Sequence, residues 1–307
     1  VKSYNNDIGV PLTILRARSN DRFLILEIGT NAPGEIAALS VLARPDLVVI
    51  TNAGRAHLEG LGSLEGVARE KASILEGLSD NGSVVLPAAP GPLRDEVVAR
   101  LGVNQGIQDF GDSKGDLVLT SRQTIDSSGA QTLQCSDGFT ARMRLPGAHN
   151  AQNALAAILV ARTLGIVDTQ IGLGLAELAS DPMRFSGELI GDSGIMIYND
   201  AYNANPDAVL AALATFGELS SEATRRVLIL GDMMELGDDA AALHAEIGRA
   251  VVELSRTVEL SCVIFIGPLS SHGAQAVIDS RSDLMVVQLP VLNDVLSEGV
   301  AGMVQSG

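Results

Sequence analysis

Asp46-Leu47-Val48-Val49-Ile50-Thr51-Asn52 is a short apolar run that breaks off into polar residues, and it leads through a loop to His57 and a helical stretch at 64–78. An apolar run without alternation is what a parallel strand covered on both faces requires. Within 64–78, Leu64, Val67, Ala68, Ile74, Leu75 and Leu78 recur at helical spacing. Strand, loop and helix in this order form the unit of a parallel α/β sheet. Lys71 falls inside the apolar stripe. A buried ammonium is costly unless it is paired or chemically changed. A lysine whose stem lies on apolar surface while its amine reaches water would also fit the pattern.

The same texture extends in both directions. Phe23-Leu24-Ile25-Leu26 ends at Glu27, and Gly82-Ser83-Val84-Val85-Leu86 ends at Pro87. Ligands of open parallel sheets gather beyond the carboxyl ends of the strands, so Glu27 and His57 stand where a site belongs. Between 116 and 145 the apolar runs are separated by Ser127-Ser128-Gly129 and Ser136-Asp137-Gly138, which predicts a small antiparallel sheet of hairpins. A helix follows from about 149 to 164. After Pro182 the strand–helix alternation resumes, with strands expected at 195–198, 227–230, 263–266 and 284–287 and helices at about 206–219 and 240–254. The reading is an α/β protein of two domains: a mostly parallel sheet with an antiparallel subsheet over 1–182, then a Rossmann-like domain over 183–307. Residue 1 is Val, and 301–307 follow a helical pattern, so the chain reads as an internal piece of a longer protein.

The 307 residues suffice for two cores. A net charge of −16 disfavours nucleic acid and anionic membrane as partners, because both select basic surfaces. Cys135 and Cys262 stand far apart in no metal-type spacing, so a reducing cytoplasm is the expected compartment. No apolar run reaches the length of a membrane span, and no membrane insertion is expected. A monomer is the expected state.

Glu27 and His57 offer one oxygen and one nitrogen donor to a divalent cation. Two protein donors suit Mg²⁺, whose shell is usually completed by water and phosphate oxygens. Lys71 would join them if its amine captured carbon dioxide as a carbamate. Leu145-Pro146-Gly147-Ala148-His149-Asn150-Ala151-Gln152-Asn153 opens a helix. Asn150 there is either a cap or a ligand contact, and Asn153 lies where an Asn has no helical advantage. Asp200-Ala201-Tyr202-Asn203-Ala204-Asn205-Pro206 holds more Asp, Tyr and Asn than capping requires. Gly231-Asp232-Met233-Met234-Glu235-Leu236-Gly237 occupies the same kind of strand end. His244 and His272 match no ligand pattern, and Gly60-Leu61-Gly62 is no dinucleotide fingerprint, since it follows a loop.

These motifs, together with Asn5-Asn6-Asp7-Ile8-Gly9-Val10-Pro11, occur in an order that resembles the Mur ligase family over nearly the whole chain. Within it, the likeness is to the member that adds D-alanyl-D-alanine to UDP-N-acetylmuramoyl-tripeptide. The resemblance implies ATP and Mg²⁺ as cofactors and an acyl-phosphate route to the new amide. It implies Glu27, His57 and a carbamylated Lys71 around the cation. His149, Asn150, Asn153, Arg184, Asp200, Asn203 and Asn205 would lie on the nucleotide side. Asn5, Asn6, Asp232 and Glu235 would lie on the substrate side. The sister ligase's Asp-Asn-Pro-Arg motif is absent from the chain, as is any G-x-x-x-x-G-K-[ST] phosphate loop. The family's phosphate loop lies upstream of the quoted motifs, so the chain alone is expected to turn over little or no ATP. The rival readings are another Mur or folylpolyglutamate-type amide ligase and a non-catalytic nucleotide-binding scaffold.

Overall fold

A computed structural model describes residues 4–126, 128–219, 225–281 and 283–291. The expected helical pattern before 301–307 lies outside them. The chain divides into two compact units, one of 1–121, 133–140 and 151–173 and the other of 122–132, 141–150 and 174–307.

In chain order the elements are α1 (Gly9–Arg16), α2 (Glu35–Ala43), β1 (Leu47–Val49), α3 (Leu58–Leu61), α4 (Leu64–Ala72), β2 (Ser83–Pro87), α5 (Pro92–Arg100) and β3 (Gly106–Gly111). Next come β4 (Leu117–Thr124), β5 (Gln131–Cys135), β6 (Thr140–Met143), α6 (Ala148–Thr163) and α7 (Asp168–Glu177). The remainder is β7 (Ser186–Leu189), β8 (Met196–Asn199), α8 (Pro206–Glu218), β9 (Val227–Gly231), α9 (Ala240–Leu254), β10 (Cys262–Ile266), α10 (Ser271–Ser280) and β11 (Val286–Leu289).

Strands β1 to β6 follow one another in a single sheet. The β1–β2 and β2–β3 pairs are parallel, with Val48 opposite Val84 and Val84 opposite Ile107. The turns expected in the hairpin region are present: Ile125 N donates to Ala130 O at 2.6 Å and Cys135 N to Phe139 O at 2.8 Å. The core beneath β1 and β2 joins Val48, Ala72, Leu75, Val84, Leu86 and Val97. Helix α4 starts where Ser63 accepts from Gly66 N, and a 3₁₀ turn, Ser73–Gly77, continues it. Val67, Ala68, Leu75 and Leu78 face inward as the spacing predicts, whereas Leu64, at the start of the stripe, is exposed.

The second unit holds a parallel sheet of order β11-β10-β9, with Val263 opposite both Leu228 and Val286. Its core gathers Leu228, Val263, Phe265, Ile247, Val251 and Val277. Asn205 caps α8 by accepting from Ala208 N at 2.9 Å, with Pro206 in the first turn.

Two expectations are corrected. The run 23–26 pairs with no strand among the described residues, and Ile25 is 85% exposed. Apolar β-prone residues form a strand only when their N–H and C=O groups meet a neighbouring ladder. The strand at 195–198, found as β8, pairs antiparallel with β7 and not with β9. A local hairpin closes a short loop, here with Gly191 and Gly194 at positive φ, at low entropic cost.

Candidate active site

In the first unit the segment from Glu27 to Ile36 is the organising piece. Glu27, itself exposed, accepts from Asn5 Nδ2 at 2.9 Å, and Gly29 N donates to Asn5 O at 2.8 Å. Two expected site residues are thereby brought together. Asn6 instead accepts from Gly9 N at 2.8 Å and opens α1. Glu35 accepts from Asn31 N at 2.7 Å, Ala32 N at 3.1 Å and Thr30 Oγ1 at 3.2 Å. Those backbone bonds hold its carboxyl below the usual range, with a smaller contribution from the nearby His57. From the other side Glu70, buried, accepts from Gly34 N at 2.7 Å and Ile36 N at 2.9 Å.

Lys71 is half-buried, and burial pulls its ammonium below the ordinary range. The fully buried charge on α4 is the neighbouring Glu70, which the sequence reading missed. Its signal was present, since Glu70 lies three residues after Val67 on the same apolar stripe. His57 takes a left-handed backbone, φ 57°, at the start of α3. No group of three or more His, Cys, Asp or Glu that could hold a metal occurs among the described residues. Among the described residues a closed protein cage for a cation is therefore not present.

In the second unit the strand-end motifs converge on one cleft of about 1740 Å³, whose lining includes Asp200, Asn203, Asp232 and Met233. Asp200 Oδ1 accepts from Phe185 N at 2.9 Å, and Tyr202 N donates to Met183 O at 3.1 Å. The Arg184 guanidinium lies 3.9 Å from the Tyr202 ring centroid. Burial pushes the Asp200 carboxyl up, opposed by that backbone bond, His149 and Arg184. Asp232 accepts from Ser270 N at 2.7 Å. His244, set aside on sequence, is 3% exposed and accepts from Met233 N at 2.9 Å through Nε2. Its Nδ1 lies 2.7 Å from Ala240 O and donates to it in that tautomer. Glu235 lies exposed on the loop that His244 anchors.

Several expected ligand contacts are at work within the protein. Asn150 Nδ2 donates to Pro146 O at 2.8 Å, Asn203 Oδ1 accepts from Ala204 N at 2.9 Å, and Asn205 is the α8 cap. The cap at Asn205 is the one its place before Pro206 leads one to expect, whereas the carbonyl that Asn150 reaches depends on the turn that formed. Asn153, in the first unit, is exposed on α6. Positive φ at non-glycine residues marks the same segments: His57, Met183, Phe185 and Glu235 show it, with Arg44 the one case elsewhere. Such strain concentrates where a fold over-determines a site.

The His149 ring lies beside Gly147 while the residue stays exposed, so the downward pull of desolvation on its pKa from the ordinary 6.5, opposed by Asp200 and Glu218, is screened by solvent and its effect on stability is small. The unfolded chain then binds more protons between the folded value and 6.5. Its contribution is complete above about pH 6.5 and is lost as pH falls through the folded value. Urea unfolding of the second unit at pH 7.5 and pH 5 is expected to show this loss, and His149→Asn to remove part of it. Asp200 acts oppositely in a lower window, because its raised pKa makes the folded state the better proton binder there. An unchanged slope in the variant would contradict the assignment.

A mostly parallel sheet followed by a unit with a parallel three-stranded sheet defines an α/β protein, a class that binds ligands beyond the carboxyl ends of its strands. The chain belongs to the Mur ligase family: the Mur ligase middle domain matches residues 1–161 and the Mur ligase, glutamate ligase domain matches 183–284. It is 37% identical over 253 residues to the UDP-N-acetylmuramoyl-tripeptide–D-alanyl-D-alanine ligase of Bacillus subtilis, covering 81% of this chain and 53% of that protein. The Escherichia coli ligase of the same name is 35% identical over 255 residues, with 80% and 54% covered. Among solved structures, MurF from Acinetobacter baumannii shares the fold with a TM-score of 0.80 at 24% identity, over 100% of this chain and 70% of that one. MurF from Thermotoga maritima in complex with ADP gives 0.76 at 26% identity, over 97% and 70%. The chain spans about half the length of those two curated relatives. No helix among the described residues is long and apolar enough to cross a membrane.

Proposed function

We propose that this chain forms the middle and C-terminal parts of an ATP-dependent amide ligase that joins D-alanyl-D-alanine to UDP-N-acetylmuramoyl-tripeptide. The domain division at 182/183, a cytoplasmic location and a monomeric state belong to the same reading. The observation that carries it is that Asp200, Asn203 and Asp232 line one cleft of the second unit. The name of the curated relatives supplies the substrates.

In this reading the peptide's terminal carboxylate takes the γ-phosphoryl group of ATP and becomes an acyl phosphate. The amine of D-alanyl-D-alanine adds to that carbonyl, and the tetrahedral intermediate expels phosphate to leave the amide. Arg184, held over Tyr202, serves the nucleotide phosphates, Asp200 and His149 are further nucleotide contacts, and Asn150 and Asn153 lie on the adenine side. Asn203 and Asn205 shape the loop beneath. Asn5 and Asn6 with Asp232 and Glu235 serve the peptide substrates. Glu27 and His57 are two donors for Mg²⁺, which when bound neutralises phosphate charge. A lowered ammonium pKa leaves more Lys71 as free amine, the form that adds to carbon dioxide with loss of one proton to give a carbamate.

Amine competition tests the reading in a protein that carries this chain together with a phosphate loop. Phosphate release with UDP-N-acetylmuramoyl-tripeptide is expected with D-alanyl-D-alanine and to be at least tenfold slower with single amino acids or glutamate, a gap of about 1.4 kcal/mol. Preference for glutamate would move the assignment to a folylpolyglutamate-type ligase. Nucleotide binding without turnover under any amine would favour the scaffold.

A further inference from the structure

Gln131 has no exposed surface at all, yet it carries a full polar side chain in the second unit. Its Nε2 donates to Leu145 O at 2.6 Å and to Gly147 O at 3.1 Å. Its Oε1 accepts from Arg122 Nη1 at 3.4 Å. Arg122 in turn forks the Glu218 carboxylate, with both bonds at 2.6 Å. The carbonyls that Gln131 grips belong to the turn bearing His149 and Asn150, and Glu218 ends α8, the helix that starts from the Asn203–Asn205 loop. Gly147, at φ 88°, has no room for a Cβ beside Thr215 Oγ1 and the His149 ring, so the turn lies pressed against α8.

We propose that Gln131 is a positioning residue for the candidate nucleotide site: it sets the pose of the 145–150 turn, and through Arg122 and Glu218 it registers that turn against α8. The amide is suited to this because it gives two N–H groups to two carbonyls while its oxygen faces a guanidinium. A leucine of similar size would leave both carbonyls buried without a donor. A glutamate would turn a carboxylate toward them, and only its protonated form can give one hydrogen bond back. The ligand assigned to the site rests on the nucleotide reading above; the geometry of the turn does not.

The test uses the 307-residue chain unaltered and as Gln131→Leu and Gln131→Glu, each compared with the unaltered chain at the same pH. Thermal unfolding establishes folding, NMR of the His149 imidazole reports the pose, and calorimetric titration with ADP reports affinity. Gln131→Leu is expected to displace the His149 resonances and to weaken ADP binding roughly tenfold. Gln131→Glu is expected to lie closer to the unaltered chain at pH 5 than at pH 8, where the carboxylate also competes with Glu218 for Arg122. That acid rescue decides the matter if Gln131→Leu does not fold, since generic destabilisation has no reason to reverse on protonation of residue 131. Folded variants that keep the His149 resonances and ADP affinity at pH 8 overturn the inference. Should the unaltered chain, which lacks a phosphate loop, bind no ADP, the His149 resonances alone decide: their displacement in the variants supports Gln131 as the residue that sets the turn, and their retention overturns it.

Discussion

Glu70→Ala is expected to destabilise the first unit by about 3 kcal/mol, read as a lowered midpoint in urea unfolding at constant m-value. Glu70 is 6% exposed, and its carboxylate is the acceptor for Gly34 N and Ile36 N. Bonds to a charged acceptor contribute about 1.5–3 kcal/mol each, and an orphaned buried donor costs a further desolvation penalty. The donors come from a segment more than thirty residues earlier, so the bonds tie α4 to the start of α2. Glu70→Gln keeps one carbonyl oxygen and is expected to lose about half as much, because its NH₂ turns a donor toward a donor. A change under about 0.5 kcal/mol in Glu70→Ala would mean that water serves these amides equally well. The functional consequence runs through Lys71, the next residue. Loss of the Glu70 grip frees the turn of α4 on which that amine sits, and greater hydration is expected to return its pKa toward the ordinary lysine range.

The second large effect is expected from Gly60→Ala. A Cβ at Gly60 would collide with the Asn31 carbonyl, and Asn31 is itself held through its N–H by Glu35. The backbone cannot give way as a flexible side chain could, so α3 has to move off the 27–36 segment. Overpacking of this kind costs about 1–3 kcal/mol. The cost falls on the short helix that His57 begins, so a displaced His57 imidazole resonance is expected with a lower melting temperature. Gly62→Ala supplies the contrast. Nothing lies within 4 Å of its Cβ position, but its φ is 79°, so only backbone strain of about 1 kcal/mol applies. If the two variants lose equal stability and leave His57 unmoved, close packing at Gly60 is not what positions the histidine.

These two variants probe contacts that the amino-acid order shows unevenly. Gln131 opens the strand Gln131–Cys135, in which Gln131, Leu133 and Cys135 are the inward positions. A polar residue on the apolar side of an alternating strand was a readable signal, as was Glu70 on a helical stripe. What could not be read was the partner: Leu145 and Gly147 for one, Gly34 and Ile36 for the other. Similarly, Asn150 and Asn205 were visible as amides near helix starts, while the backbone groups they satisfy depended on the turn that formed.

By itself the sequence determined the alternation of strands and helices, the bounds of α9, the start of α6 to within a residue, and the strand-end placement of Asp200 and Asp232. Those follow from side-chain period and turn chemistry, which act over a few residues. Tertiary structure alone decided that the run 23–26 finds no ladder, that β8 pairs with β7, and that Glu70, Gln131 and His244 hold the loops of the candidate site. Hydrogen-bond pairing across distant segments is settled by which surfaces pack together, and a buried polar group takes whatever partner that packing delivers.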